Sequence, residues 1–172
     1  MKVSSAVNRA KLVDEPIVEM LLSRKYLKSG IKFMKSDLQS DFNGTDIVYY
    51  ANGIKRFLDV KRNSSKYYNS PNFSISVNKD KIDVYNNTSY VFIDETADSL
   101  YIVNGIELLK YILDNADNIK QSDKKQDSYY LVIPKQDVIL MAGDNDHIIK
   151  YNKSIANLFA IGRDESIYSN LD

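Results

Sequence analysis

Three residues of the types that do metal and phosphate chemistry fall within one short stretch of this chain: Asp46, Asp59 and Lys61. Asp46 opens the run Asp46-Ile-Val-Tyr-Tyr, Asn52-Gly53 follows, and Arg56-Phe-Leu-Asp-Val-Lys61 completes the stretch. Two carboxylates supply hard oxygen ligands for a divalent cation, and an amine can orient a water or offset developing charge. Gathered in one place, the three suit hydrolysis of a phosphodiester. The local sequence favours gathering them. Asn-Gly between two β-branched and aromatic runs signals a two-residue hairpin, because both central residues of a type I′ turn take positive φ. Strand residues two apart share a face, so Asp59 and Lys61 emerge together, and a paired strand about 4.8 Å away sets Asp46 beside Asp59.

A helix is predicted upstream, over Asp14-Glu-Pro-Ile-Val-Glu-Met-Leu-Leu-Ser-Arg-Lys-Tyr-Leu-Lys-Ser-Gly30. Acidic residues and a proline open it, cations come late, and a glycine stops it. Ile17, Val18, Leu21 and Leu22 make an apolar stripe suited to packing on a sheet. Glu19 falls beside that stripe, with Glu15 one turn earlier on the same face. A purely structural reading of these residues is open at this stage. Glu15 and Glu19 would be a solvated face at a helix N-terminus, Asp59 and Lys61 an exposed ion pair of small value, and Asp46 a turn residue after Asn43-Gly44.

Taken in order, a helix with a Glu, then Asp, then Asp-x-Lys, the chain resembles the restriction-endonuclease-like superfamily of PD-(D/E)XK nucleases. That superfamily includes restriction enzymes, Holliday-junction resolvases and nucleases of phages and mobile elements. Thr45-Asp46-Ile47 stands where the family has Pro-Asp-aliphatic, and Asp59-Val60-Lys61 where it has Asp/Glu-x-Lys. The resemblance covers roughly the first two thirds of the chain. It implies an α/β (α+β) fold with a restriction-endonuclease-like core, a mixed central β-sheet flanked by helices. It further implies a nuclease cutting DNA with Mg²⁺, for which Mn²⁺ would substitute. Asp46, Asp59, the carbonyl of Val60 and Glu19 would be the metal ligands, with Asp46, Asp59, Lys61 and Glu19 as the catalytic set. In the family the helix Glu sits about three turns before a helix-ending Gly, so Glu19 fits better than Glu15, which is kept as its substitute. A nuclease that cuts both strands often acts as a two-fold dimer, so a homodimer is an expectation. The alternatives are a non-catalytic nucleic-acid-binding module on the same fold, or a phage or mobile-element factor that binds another protein.

The chain has 172 residues and formal net charge +0, with no cysteine. Length predicts one domain over 1–172, with 162–172 a loose tail. Disulfides, thiolate catalysis and zinc-thiolate sites are excluded. No run reaches a membrane span and the N-terminus lacks the apolar core of a secretion signal, so a cytoplasmic protein is expected. Neutral charge argues against a strongly basic nucleic-acid binder, yet the charge is unevenly distributed. Residues 1–81 hold fifteen Lys and Arg against eight Asp and Glu, and residues 82–172 hold the reverse. The positive half contains the motif. Lys25, Lys28, Lys32 and Lys35 follow the helix, and Lys55, Arg56, Arg62 and Lys66 surround the hairpin, so a basic groove for nucleic acid is expected there. In the polar stretch 63–72, Tyr67 and Tyr68 are candidates for stacking on bases, against the plainer role of surface tyrosines.

Farther on, Phe73–Val77 is predicted as a short strand or turn leading into a central strand at Ser89–Asp94, followed by a strand at Ser99–Val103. Gly105–Asp117 is predicted as a helix with Ile106, Leu109, Ile112 and Leu113 inward. Ile119–Ser128 is predicted as a loop and Tyr129–Ile133 as a strand closed by Pro134. Gln136–Ala142 fits either helix or strand, and His147–Ile161 is predicted as a terminal helix with Ile148, Tyr151, Ile155, Leu158 and Phe159 inward. Asp94 and Glu95, closing their strand, are expected to meet solvent. His147 is expected to serve a helix start or the surface. Asp144-Asn-Asp146 lacks the rest of a calcium-loop pattern.

Overall fold

The computed structural model describes residues 14–35, 46–62, 72–77, 82–94, 97–122 and 128–152, with the backbone alone at Lys35 and Arg62. Lys66, Tyr67, Tyr68, Glu95, the inward positions Ile155, Leu158 and Phe159, and the tail 162–172 lie outside the described residues. The architecture is α+β, a mixed central β-sheet flanked by helices, as expected. The chain divides into two compact units, one comprising Met1–Val60 with Lys150–Asp172, the other Lys61–Ile149.

Among the described residues of the first unit, helix α1 spans Glu15–Lys25, where the sequence places it. Pro16 stands in its first turn, where a missing N–H costs nothing, and Arg24 and Lys25 lie in its last turn, where the dipole favours cations. Ile17, Val18, Leu21 and Leu22 are all buried. Each such side chain taken from water contributes about 1.5–3 kcal/mol. A 3₁₀ turn, Leu27–Ser29, continues the helix to Gly30, whose φ of 69° gives the left-handed stop. Strands β1 (Phe33–Lys35), β2 (Ile47–Ala51) and β3 (Ile54–Arg62), the last two residues of which belong to the second unit, form an antiparallel meander. Asn52 and Gly53 have φ of 52° and 76°, so the two-residue turn is of the type that the Asn-Gly pair predicts.

The second unit holds β4 (Asn72–Val77), the short helix α2 (Val84–Asn87), β5 (Thr88–Asp94), β6 (Ser99–Asn104) and α3 (Gly105–Asp114). It continues with β7 (Lys120–Gln121), β8 (Tyr129–Pro134) and α4 (Lys135–Ala142), and β9 (Ile148–Lys150) straddles the division. β5 and β6 pair as an antiparallel hairpin from Ser89↔Asn104 to Asp94↔Ser99. β4 does not lead into that hairpin's sheet; it is the edge of a separate three-stranded sheet in the order β4-β8-β7. Its strict alternation buries Phe73, Ile75 and Val77 and exposes Ser74 and Ser76. Phe73 meets Phe92 of β5 edge to face, with ring centroids 5.0 Å apart, in a core that includes Tyr101, Val103, Leu108, Ile112, Leu131, Ile133 and Val138.

Three local expectations are corrected and one open alternative is resolved. The Ile119–Ser128 segment contains β7, paired to β8 at Lys120↔Tyr130 and Gln121↔Tyr129. Gln136–Ala142, ambiguous by pattern, is helical. At 148–150 the chain is extended rather than helical: Gly143, at φ 83°, ends α4, a 3₁₀ turn follows, and Ile148 packs against the core. Consecutive β-branched isoleucines suit a strand. On α3 the buried positions are Gly105, Leu108 and Ile112, whereas Ile106 and Leu113 are exposed. Gly105 explains that phase, because a Cβ there would collide with the carbonyl oxygens of Tyr85 and Thr88. The helix start must lie against the α2–β5 junction, and that contact rotates the face.

Candidate active site

Asp46 immediately precedes β2, and continuing the register one step beyond Ile47↔Leu58 sets it across from Asp59. Two hydrogen bonds hold it there. Its N–H donates to the carbonyl of Leu58 (3.0 Å), and the N–H of Val60 donates to its carboxylate Oδ2 (2.7 Å). The two β3 groups engaged belong to the residues on either side of Asp59. A carboxylate accepts several donors, so the short charge-assisted bond to Val60 orients Asp46 and leaves it acceptor capacity for a cation.

Asp59 is buried, with 9% of its surface exposed, and Asp46 and Lys61 are half-buried. Strand alternation puts Asp59 and Lys61 on one face of β3 with Phe57 and Lys55, opposite Val48 and Tyr50 of β2. That face is dry around Val48 and opens toward the turn, where Tyr50 and Lys55 are exposed. Arg56, across from Tyr49, points to the other face with Phe33, whose ring stacks on Tyr49 at 5.2 Å and meets Tyr26 at 5.9 Å.

On α1, Glu15 is buried with 4% of its surface exposed, and Glu19 is half-buried. The solvated helix face is therefore not what the fold builds. Glu15, Glu19, Asp59 and Lys61 are each engaged by another group. Among the described residues, no three His, Cys, Asp or Glu side chains gather in an arrangement able to hold a metal ion. The geometry brings together the Asp46–Asp59 pair and the backbone of Val60. These are hard oxygen donors, the class Mg²⁺ takes; that ion commonly uses one or two carboxylates and completes its shell with water and phosphate oxygens. Arg62 closes β3.

A second polar constellation escaped the sequence reading. Asp94, expected in solvent, is fully buried, and its Oδ2 accepts the Tyr101 hydroxyl at 2.7 Å and pairs with the Lys135 ammonium at 3.2 Å. Nearby in the chain, the Tyr111 hydroxyl donates to Asp137 Oδ2 at 2.7 Å. Burial first, and then the adjacent carboxylate, push both tyrosine pKa values well above the usual phenol range. One signal was available. Val91-Phe92-Ile93 is apolar on both faces, the mark of a strand buried on both sides, so the Asp that ends it goes inside too. His147 stays exposed on its 3₁₀ turn, its Nδ1 2.7 Å from Asp144 Oδ1.

No protein-family profile matches the chain, and no curated protein matches it. Among solved structures the chain is similar to that of a nuclease from a fusselovirus, at 15% sequence identity and a TM-score of 0.49, covering 100% of this chain and 99% of that one. Among the described residues, no helix is long and apolar enough to cross a membrane.

Proposed function

We propose that the protein is a Mg²⁺-dependent nuclease that hydrolyses DNA phosphodiester bonds on the face of the β2–β3 hairpin. The observation that carries this reading is the bond from the Val60 N–H to the Asp46 carboxylate, which holds one acid beside a second, Asp59, with an amine two residues farther along the same strand. In this reading Asp46, Asp59 and the Val60 carbonyl would hold the cation, and Glu19 would help position a second ion or its water. The bound cation would polarise the phosphoryl oxygens and acidify a water. Lys61 orients the attacking water and offsets negative charge on the pentavalent phosphoryl group. DNA as the substrate follows from the PD-(D/E)XK resemblance.

The second reading, a non-catalytic nucleic-acid-binding module, is favoured by the lack of a three-carboxylate cluster among the described residues. Incubation with plasmid, single-stranded and branched DNA in Mg²⁺ or Mn²⁺ separates the two. The nuclease reading expects cleavage that falls on the order of 10²–10³-fold in Asp59→Ala and Lys61→Ala variants with unchanged circular dichroism. Salt-sensitive binding without cleavage supports the second reading. Cleavage undiminished in both variants removes the site.

A further inference from the structure

The hairpin that carries Asp46 and Asp59 has no acidic residue from Ile47 to Leu58 and two cations, Lys55 and Arg56. Its exposed end is aromatic as well as basic. Tyr50 is 45% exposed and stands directly across from Lys55. The Lys55 ammonium folds back along the strand to lie 5.7 Å from the centroid of the Phe57 ring, one side-chain step from Asp59 on the same face. Tyr50, Lys55, Phe57 and Asp59 thus form a strip running about 14 Å along β3, a span of a few nucleotides.

A water-facing tyrosine is rigid, costs little entropy to immobilise and presents a π-face that any unpaired base can stack on. A lysine beside it supplies the point charge that a phosphate needs. The bases of a duplex are already stacked on one another and offer no such face. From these residues we infer that the tip of the β2–β3 hairpin binds single-stranded DNA, with an unpaired base on Tyr50 and a backbone phosphate on Lys55, and that it leads the strand toward Asp46 and Asp59. The inference rests on the nuclease reading for its direction along the strip. The binding itself is separable from cleavage.

The test is fluorescence anisotropy with a labelled oligothymidylate of about 16 nucleotides, and with a blunt duplex of equal length, in EDTA so that no cleavage intervenes. Tyr50→Ala is expected to weaken binding of the single strand about 5- to 150-fold, and Tyr50→Phe, which keeps the ring, to restore it. Lys55→Ala is expected to reduce the slope of log affinity against log salt by about 0.7 for the single strand. The inference is overturned if the protein does not bind the oligothymidylate, if both alanine variants bind within about twofold of the parent, or if Tyr50→Ala impairs the duplex equally. Loss of strand binding in Tyr50→Ala from a protein that never cuts DNA in Mg²⁺ would retain the hairpin site and sink the nuclease. Normal binding in Tyr50→Ala from a protein that does cut would do the reverse.

Discussion

Asp59 and Asp94 are both carboxylates of β-strands, each the acidic residue of an otherwise apolar or basic run, and the fold treats them differently. Asp94 is sealed inside the second unit, where one oxygen serves both a tyrosine hydroxyl and a lysine ammonium. In the first unit Asp59 sits at the edge of a dry face that opens to solvent within two side-chain steps, beside an Asp46 whose orientation comes from a backbone amide. A buried carboxylate tied to two side-chain donors is an anchor: it pins the start of α4 to the β5–β6 hairpin. The Asp46 carboxylate, oriented by a backbone amide, keeps acceptor capacity beyond that one bond. Burial alone therefore does not say what holds a strand carboxylate: Asp94 is tied to two side-chain donors, whereas Asp46 is oriented by a backbone amide.

The comparison is broken most forcefully at Asp94. Asp94→Ala leaves the Lys135 ammonium without its buried partner, and a loss of about 3–5 kcal/mol is expected, read as a lowered urea midpoint with unchanged slope. A stability equal to that of the parent would show that Asp94 is no anchor. Gly105→Ala, in the same unit, forces a methyl into the carbonyls of Tyr85 and Thr88 and is expected to cost about 1–3 kcal/mol in the same measurement. Asp46→Asn should cost less, about 0.5–1.5 kcal/mol, because the amide oxygen still accepts from Val60. Cation binding should weaken nonetheless; a calorimetric Mn²⁺ titration as strong as the parent's would remove Asp46 from the ligand set.

The smallest effect is a pH dependence. Tyr101 and Tyr111 have folded pKa values raised above that of a free phenol, near 10, so their contribution is fully present below about pH 10 and is lost as pH rises through the folded values. The urea midpoint should therefore fall on the alkaline side of pH 10, and the fall should be shallower in the Tyr101→Phe, Tyr111→Phe double variant. An equal slope in both proteins would place the alkaline loss on other groups.

Asn52-Gly53, the stripe Ile17, Val18, Leu21 and Leu22, and the stop at Gly30 are local instructions, and each appears in the structure where its residues place it. Turn conformation and helix periodicity depend on neighbours within a few positions, so the sequence by itself determined the α1 helix, the β2–β3 register and, through that register, the meeting of Asp46 with the backbone around Asp59. Other features depended on partners distant in the chain. The sheet that β4 joins, the face α3 buries and the strand in place of a helix at Ile148 are set by which surfaces meet, which pattern along the chain does not specify. Tertiary packing decided these because pairing and close approach, as at Gly105 against two carbonyls, outweigh the fractions of a kcal/mol by which local propensity differs from one residue to the next.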